Sequence, residues 1–279
     1  MFTTLVDAAT LASHLEDPHW VVVDCRHALA DFSLGRKLYE HSHIAGAFFA
    51  DVEVDLAGEK TGRNGRHPLP DPGEFAAFLR GIGVDEDTQV VAYDAGGDMF
   101  AARLWFLCRW IGHDACGVLD GGFAAWTAGG YPVESAIPKA TPGTIEPHVR
   151  PDLVVDASHV LAHLHDPAMR LVDARAADRF AGQNELVDPV AGHIPGAGNR
   201  PFKENFDANG RFKSANDLRG AFAAFGPSTR IVHQCGSGVS GALNMLAMEV
   251  AGERGSRLYA GSWSEWIADP TRPVETTSA

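Results

Sequence analysis

A cysteine followed by a glycine-rich segment is the part of this sequence best suited to chemistry. Residues 231–241 read Ile-Val-His-Gln-Cys-Gly-Ser-Gly-Val-Ser-Gly. The apolar start predicts a buried strand, and Gly241 to Val250 carry apolar side chains at helical spacing. Gly236 and Gly238 permit a sharp turn with inward-pointing backbone N–H groups, and a helix start adds partial positive charge. Such a cradle favours the nucleophilic thiolate of Cys235 and would hold a charged sulfur bound to it.

Two other enzyme classes use comparable loops, and the sequence argues against both. Cysteine phosphatases need an arginine at the loop's end to bind phosphate. Gly241 and Ala242 occupy those positions here, and the next basic residue is Arg254. A disulfide oxidoreductase requires Cys-x-x-Cys, but position 238 is glycine. The structural alternative for Cys235 is a small buried thiol at the end of a strand.

Composition narrows the functional classes further. The 279 residues carry a formal net charge of −13, which argues against binding to nucleic acid. The first residues lack the basic and apolar regions of a signal peptide, and no apolar run has the length of a membrane helix. We therefore expect a cytoplasmic protein without membrane association. The other cysteines, Cys25, Cys108 and Cys116, have no framework-like spacing and are predicted to be buried, reduced thiols. The scattered histidines predict no metal site.

The sequence repeats itself, with offsets of 140 to 150 residues between matching segments. The matching pairs are Val21–Arg26 with Leu171–Arg175, His43–Ala47 with His193–Ala197, Val90–Asp94 with Ile231–Cys235, and Val118–Trp126 with Leu258–Trp266. Short apolar strands alternate with helical segments in both halves. This pattern predicts an α/β fold of two tandem domains, each a mostly parallel sheet with helices on both faces.

The repeat also predicts a division of labour between the halves. We expect domains at residues 1–137 and 153–279, joined by a linker at 138–152 that is rich in proline and threonine. Ligand sites in such sheets lie beyond the carboxyl ends of the strands, where Cys235 is expected. Asp94 stands opposite Cys235 in the repeat, and a carboxylate cannot carry a transferable sulfur. The first domain is therefore predicted to be inactive and the second catalytic.

The segment from Cys235 to Ser240 resembles the active-site loop of 3-mercaptopyruvate sulfurtransferases, in the rhodanese superfamily. Those loops usually read Cys-Gly-Ser-Gly-Val-Thr, and Ser240 keeps the hydroxyl of the final threonine. Three more segments support the resemblance, which covers nearly the whole chain: Val-Asp-Ala-Arg ending at residue 175, Gly-His-Ile-Pro-Gly-Ala ending at 197, and Gly-Ser-Trp-Ser-Glu-Trp ending at 266. The resemblance implies tandem rhodanese-like domains, of which the second is catalytic.

The resemblance also implies roles for the residues around the loop. Arg179 resembles the arginine that binds the donor's carboxylate or sulfonate, which suits a planar guanidinium. Arg175 is similar to one that braces the loop, and at a strand end its expected structural partner is Asp173 or Asp178. A second substrate arginine is common in these enzymes, but residues 184–191 contain no basic side chain. Backbone contacts to the substrate are expected from Gly236, Gly238, Val239 and Ser240.

A histidine in the first half is similar to one that reaches the catalytic loop. By resemblance, His67 forms a proton relay with Ser237 and a carboxylate, like other hydroxyl–imidazole–carboxylate sets. The acid falls near residues 48–53, where both Asp51 and Glu53 are candidates. The basic residues Arg63 and Arg66 would add positive potential to the same cleft.

Together these features predict a sulfurtransferase that moves sulfur from 3-mercaptopyruvate through a Cys235 persulfide. Its partners would be a small anionic donor and an acceptor such as cyanide, a small thiol or a thioredoxin-like protein. No organic cofactor or metal is implied. The alternatives are a thiosulfate:cyanide sulfurtransferase with the same nucleophile, or a non-catalytic persulfide carrier or docking module.

Overall fold

The computed structural model describes residues 1–277, which form two compact units. The first unit comprises residues 1–58, 70–150 and 206–212. The second comprises residues 59–69, 151–205 and those from Lys213 onward. The units do not follow the halves of the sequence strictly, because residues 59–69 of the first half belong to the second unit.

The first unit is built on a parallel sheet of five strands. The unit contains seven strands, of which five form this sheet: β1 (Leu5–Val6), β2 (Trp20–Asp24), β3 (His43–Ile44), β4 (Phe48–Phe49), β5 (Gln89–Tyr93), β6 (Cys116–Leu119) and β7 (Val133–Glu134). Its helices are α1 (Ala8–Ala12), α2 (Leu34–His41), α3 (Pro72–Gly81), α4 (Phe100–Trp110) and α5 (Gly122–Ala128). The sheet has the order β1-β6-β5-β2-β4, while β3 and β7 form a separate antiparallel pair.

The second unit repeats this design. Its strands are β8 (Val154–Val155), β9 (Arg170–Asp173), β10 (Gly198–Asn199), β11 (Ile231–Gln234) and β12 (Arg257–Tyr259). Its helices are α6 (Ala157–Ala162), α7 (Ala177–Ala181), α8 (Ala215–Phe222), α9 (Val239–Val250) and α10 (Ser262–Trp266), with short 3-10 turns at Pro151–Leu153, Phe202–Asn205, Ala223–Phe225 and Ser228–Arg230. The parallel order β8-β12-β11-β9-β10 matches that of the first unit strand for strand. The predicted fold class, two α/β domains related by duplication, is confirmed.

The core of the second unit explains why its central elements form. Every residue of β11 is buried, as its apolar run predicts, and eleven of the twelve residues of α9 are buried as well. Val232 packs in one cluster with Trp263 and Trp266, which are fully buried. Their indole N–H groups donate to Val190 O at 3.0 Å and Pro273 O at 2.8 Å. The cluster therefore buries these large rings without leaving their polar atoms unpaired.

The segment predicted as a linker has no helix or strand between β7 and the turn at Pro151–Leu153. Its later part is bound to the first unit through the N–H groups of Ile145, His148 and Arg150, which donate to Val84 O, Ile111 O and Trp110 O. The linker and domain boundaries drawn from the sequence remain predictions. Within residues 1–277, the helices are too short or too polar to cross a membrane.

Candidate active site

The carboxyl end of β11 positions the candidate nucleophile. This strand lies at the centre of its sheet, between β9 and β12, and Cys235 follows it directly. The chain then turns and enters α9 at Val239, two residues before the predicted start at Gly241. Gly238 explains the earlier start, since it caps the helix in the left-handed region with φ 82°. A Cβ atom there would lie 2.3 Å from Ala260 O, so only glycine fits.

Two backbone N–H groups point at the cysteine sulfur. Those of Gly238 and Ser237 donate to Cys235 Sγ at 3.1 and 3.5 Å. The residue itself is only 2% exposed. The predicted cradle is therefore present. In the part of the chain described, Gly236, Val239 and Ser240 line the same turn without donating an N–H group to Sγ itself. Their expected contact with a bound sulfur remains a prediction.

The start of α10 is hydrogen-bonded to the loop at Cys235 and Gly236. The N–H of Cys235 donates to Ser262 Oγ at 3.1 Å, and the N–H of Trp263 donates to Cys235 O at 3.0 Å. The N–H of Ser264 donates to Gly236 O at 2.9 Å. Ser262 has a positive φ, of 55°. Among the non-glycine residues that the structure describes, it is the only one with a positive φ. Sequence reasoning missed Ser262, and only its place in the Gly-Ser-Trp segment could have signalled it.

The four cysteines differ sharply in their surroundings. All are free and buried, as the sequence predicted for Cys25, Cys108 and Cys116. Burial raises the pKa of the Cys25 and Cys108 thiols well above the usual range, and nearby negative charge adds to this effect at Cys25. These two thiols are therefore kept protonated and inert. Cys235 alone follows a strand into a loop that donates two N–H groups to the sulfur.

Arg175 is buried and its guanidinium is bound by other groups of the protein. Its side chain is 1% exposed, and its Nη2 donates to Asp173 Oδ2 at 2.7 Å and to Gly192 O at 2.8 Å. The guanidinium also lies over the ring of Trp263, at 4.8 Å. Arg175 therefore joins the end of β9 to the start of α10, which supports the loop of Cys235.

Arg179 projects from α7 towards the catalytic loop. Its Nη2 would lie 3.8 Å from a Cβ added at Gly236. Nε and Nη2 both donate to the carboxylate of Glu185, at 2.8 to 3.2 Å, and Nη2 also donates to Asp188 Oδ2 at 3.1 Å. The stretch 184–191, which lacks a second arginine, thus supplies two carboxylates to this site.

A second guanidinium arrives from the loop at residues 59–69. Nη1 of Arg66 is hydrogen-bonded to Asp188 Oδ1, and its Nη2 would lie 2.7 Å from a Cβ at Gly236. Burial lowers the pKa of Arg66, negative charge at Cys235 opposes this effect, and the charge of Arg179 adds to it. Sequence reasoning gave Arg66 only a general contribution to positive potential. Arg63, named with it, is an exposed residue.

The structure brings His67 and Ser237 together. The distance from His67 Nδ1 to Ser237 Oγ is 2.7 Å, and both residues are buried. Asp51 and Glu53 lie in the first unit, where Asp51 Oδ1 accepts the N–H of Glu53 at 2.9 Å. Glu53 Oε1 lies 3.7 Å from His27 Nε2. The predicted third member of the relay stays a prediction.

Comparison with known proteins agrees with this geometry. The family model of the rhodanese-like domain matches residues 7–129 and 156–269. A probable 3-mercaptopyruvate sulfurtransferase of Pseudomonas aeruginosa is 46% identical over 277 residues, with 98% of each chain covered. The 3-mercaptopyruvate sulfurtransferase of Escherichia coli K12 is 34% identical over 280 residues, again with 98% of each chain covered.

Two solved structures support the same conclusion. The E. coli 3-mercaptopyruvate enzyme superposes with a TM-score of 0.82 at 32% identity, covering 94% of this chain and 99% of that one. The Leishmania major enzyme of the same name has a TM-score of 0.83 at 29% identity, covering 95% and 74%. With both repeats matched and the cysteine loop at the end of the central strand, this chain belongs to the rhodanese-like family.

Proposed function

We propose that this protein is a sulfurtransferase that moves sulfur from 3-mercaptopyruvate to a thiol or cyanide acceptor through a persulfide on Cys235. The observation that carries the proposal is the Cys235 sulfur, which receives the N–H groups of Ser237 and Gly238 at a strand end. The relatives in Pseudomonas aeruginosa and Escherichia coli, which are named for this donor, support it.

In the first half-reaction, the Cys235 thiolate attacks the thiol sulfur of 3-mercaptopyruvate. An S–S bond forms and the C–S bond breaks, with its electron pair passing to carbon as the enolate of pyruvate. The thiol proton is transferred to that carbon. Pyruvate leaves, and Cys235 carries the sulfur as a persulfide anion.

The loop can stabilise the charge that develops in this step. The N–H groups of Ser237 and Gly238 already donate to Sγ, and the start of α9 adds partial positive charge there. Fixed donors of this kind act on sulfur as an oxyanion hole acts on oxygen, because they are oriented before charge appears. Arg179, next to Gly236, is suited to bind the donor's carboxylate.

In the second half-reaction, the acceptor attacks the outer sulfur. Cyanide leaves as thiocyanate, and a thiol leaves as its persulfide; in either case the Cys235 thiolate is restored. The contact between His67 Nδ1 and Ser237 Oγ supports a proton relay close to the reacting sulfur. Asp51 or Glu53 is the proposed acid of this relay.

Thiosulfate is the alternative donor. Two relatives at 35% identity, from Mycobacterium tuberculosis, are named putative thiosulfate sulfurtransferases. With thiosulfate, the thiolate would take the outer sulfur and sulfite would leave. The same cysteine and loop serve both donors, so steady-state kinetics with each donor decides between them.

The test is thiocyanate formation from cyanide, with the two donors compared side by side. We expect a higher kcat/KM with 3-mercaptopyruvate, and Cys235→Ser should abolish turnover with both donors, because a hydroxyl cannot form a persulfide. Cys116→Ala, which removes a buried thiol from β6, is the matched control and should keep turnover. Activity retained by Cys235→Ser would refute the proposed nucleophile. A preference for thiosulfate would reassign the donor.

A further inference from the structure

The first residue of α10 has a backbone conformation that side chains disfavour. Ser262 has a φ of 55°, in the left-handed region where the Cβ atom crowds the backbone. Glycine adopts this region without that cost, whereas serine does not. A residue held there persists only where the surrounding structure imposes the conformation. The presence of serine rather than glycine at this position therefore requires a physical reason.

The first unit has a glycine at the equivalent position. The matching segments Val118–Trp126 and Leu258–Trp266 place Gly122 opposite Ser262, and each residue begins a helix. Gly122 has a φ of 56°, and a Cβ atom there would lie 2.6 Å from Asp94 O. The two units thus share one backbone conformation at this point, but only the second unit has room for a side chain in it.

The hydroxyl of Ser262 connects the ends of two neighbouring strands. Its Oγ accepts the N–H of Cys235 at 3.1 Å and donates to Tyr259 O at 2.8 Å. Cys235 follows β11, and Tyr259 is the last residue of β12, which pairs with β11. The single hydroxyl proton is bound to Tyr259 O, so the oxygen can only accept from Cys235. The hydroxyl therefore continues the pairing of the two strands up to the nucleophile.

The carbonyl group of the nucleophile position is held in the same way in both units. The N–H of Trp263 donates to Cys235 O at 3.0 Å, and the N–H of Phe123 donates to Asp94 O at 2.8 Å. This backbone contact does not depend on the residue that follows the central strand. The contact from the Ser262 hydroxyl does, because glycine at the equivalent position has no side chain. It is present in the unit that carries the cysteine.

We propose that Ser262 is a positioning residue for sulfur transfer, whose hydroxyl fixes the peptide group before Cys235. This inference rests on the proposed function and deepens it, since it concerns the nucleophile of that reaction. With the N–H and the C=O of Cys235 both held, Sγ is directed at the N–H groups of Ser237 and Gly238. Ser262 is fully buried, so it acts through Cys235 rather than by touching the donor.

The test compares Ser262→Ala with Ser262→Gly, which both remove the hydroxyl. Each variant should lower kcat with 3-mercaptopyruvate by about 10- to 100-fold, the range expected when a reacting atom is misplaced by up to about 1 Å. KM should stay unchanged, because the buried hydroxyl does not contact the donor. Steady-state formation of thiocyanate from cyanide measures both constants.

Thermal unfolding of the same two variants separates positioning from stability. Ser262→Gly should melt at a higher temperature than Ser262→Ala, because glycine takes the left-handed conformation freely and alanine does not. If Ser262 only stabilised the fold, the more stable Ser262→Gly would also be the more active variant. The positioning role instead predicts equal losses of kcat in two variants of unequal stability.

Ser256→Ala is the matched control. Ser256 is a serine of the same unit that is 1% exposed, and its hydroxyl has no hydrogen-bond partner among residues 1–277. Its removal should leave kcat unchanged. The loss of kcat in the Ser262 variants would then follow from the contact with Cys235 rather than from the loss of a buried hydroxyl.

The outcomes also distinguish this inference from the function on which it rests. Wild-type protein that turns over neither 3-mercaptopyruvate nor thiosulfate would overturn the proposed function. Wild-type protein that turns over either donor, with a Ser262→Gly variant of unchanged kcat for that donor, would overturn the inference alone. A raised KM at unchanged kcat would overturn it as well, because that result would show a contact with the donor.

Discussion

At the scale of single residues, reactivity here depends on what surrounds a side chain rather than on its type. Cys25 and Cys108 are buried thiols whose pKa is raised, whereas Cys235 receives two N–H groups at its sulfur. The same contrast holds for two of the arginines. Arg175 is enclosed by Asp173 and an aromatic ring, and Arg66 presents N–H donors to the catalytic loop.

The contact between Ser237 and His67 gives a prediction at this scale. Ser237→Ala and His67→Gln should each lower kcat with 3-mercaptopyruvate by about 100-fold, the lower range for assisted proton transfer. Because the two side chains would act as one relay, the double variant should be about as slow as either single variant. Steady-state kinetics of the three variants tests this. Single effects that multiply in the double variant would contradict a relay.

At the scale of elements, the site is a strand that passes through a glycine turn into a helix. Cys235 lies at the carboxyl end of the buried central strand β11, and the amino end of α9 faces its sulfur. Gly238 makes the connection possible, because it has a positive φ and approaches Ala260 O closely. The start of α10 then holds the turn through backbone hydrogen bonds. The geometry at Sγ therefore depends on three elements that meet at one glycine.

Gly238→Ala should destabilise the protein and abolish sulfur transfer. The left-handed conformation alone costs an alanine about 1 to 2 kcal/mol, and contact of its Cβ with Ala260 O adds to that cost. Gly130→Ala is the control, since Gly130 in the turn after α5 also has a positive φ, of 70°, with nothing within 4 Å of an added Cβ. Urea unfolding of both variants separates backbone strain from steric contact. Equal losses of stability would show that contact with Ala260 contributes nothing.

At the scale of the whole molecule, the two units share one fold but differ in the residue that follows the central strand of each sheet. Both sheets have the same order, yet β5 is followed by Asp94 where β11 is followed by Cys235. The Asp94 carboxylate accepts the N–H of Gly96 at 3.0 Å and that of Ala101 at 3.2 Å. In the first unit, the N–H groups beyond the central strand are thus satisfied by a permanent carboxylate. The first unit therefore keeps the fold, while the Asp94 side chain occupies the N–H groups that follow its central strand.

Asp94→Ala should therefore lower the free energy of unfolding. The substitution leaves Cys235, which lies in the second unit, unchanged. Loss of the acceptor leaves two N–H groups unpaired, one of them on the fully buried Ala101, at a cost of about 1 to 3 kcal/mol. Asp87→Ala, at an exposed position of the same unit, should change stability by less than about 0.5 kcal/mol. Thermal unfolding of both variants measures the difference. A melting temperature unchanged in Asp94→Ala would show that the carboxylate has no structural role.

Features that depend on neighbouring residues could be predicted from the amino-acid sequence. Apolar runs and helical spacing predicted the parallel strands and the helices, and the repeat predicted two domains of one fold. The cysteine, the glycines and the central strand are contiguous in the chain, so the nucleophile and its cradle were predictable. The pairing of Arg175 with Asp173 was one of two expected from the sequence, because Asp173 and Asp178 both lie within three positions of Arg175.

Contacts between residues that are far apart in the sequence became visible in the folded structure. Arg66 and Asp188 are 122 positions apart, and no periodicity links them, yet their ion pair places a guanidinium beside Gly236. His67 and Ser237 are 170 positions apart, and their contact was expected only by resemblance. The start of α9 depended on Ala260, which lies in another loop. Such contacts form when packing brings separate loops together. They cannot be predicted from local propensity, because it depends only on residues that are close in the sequence.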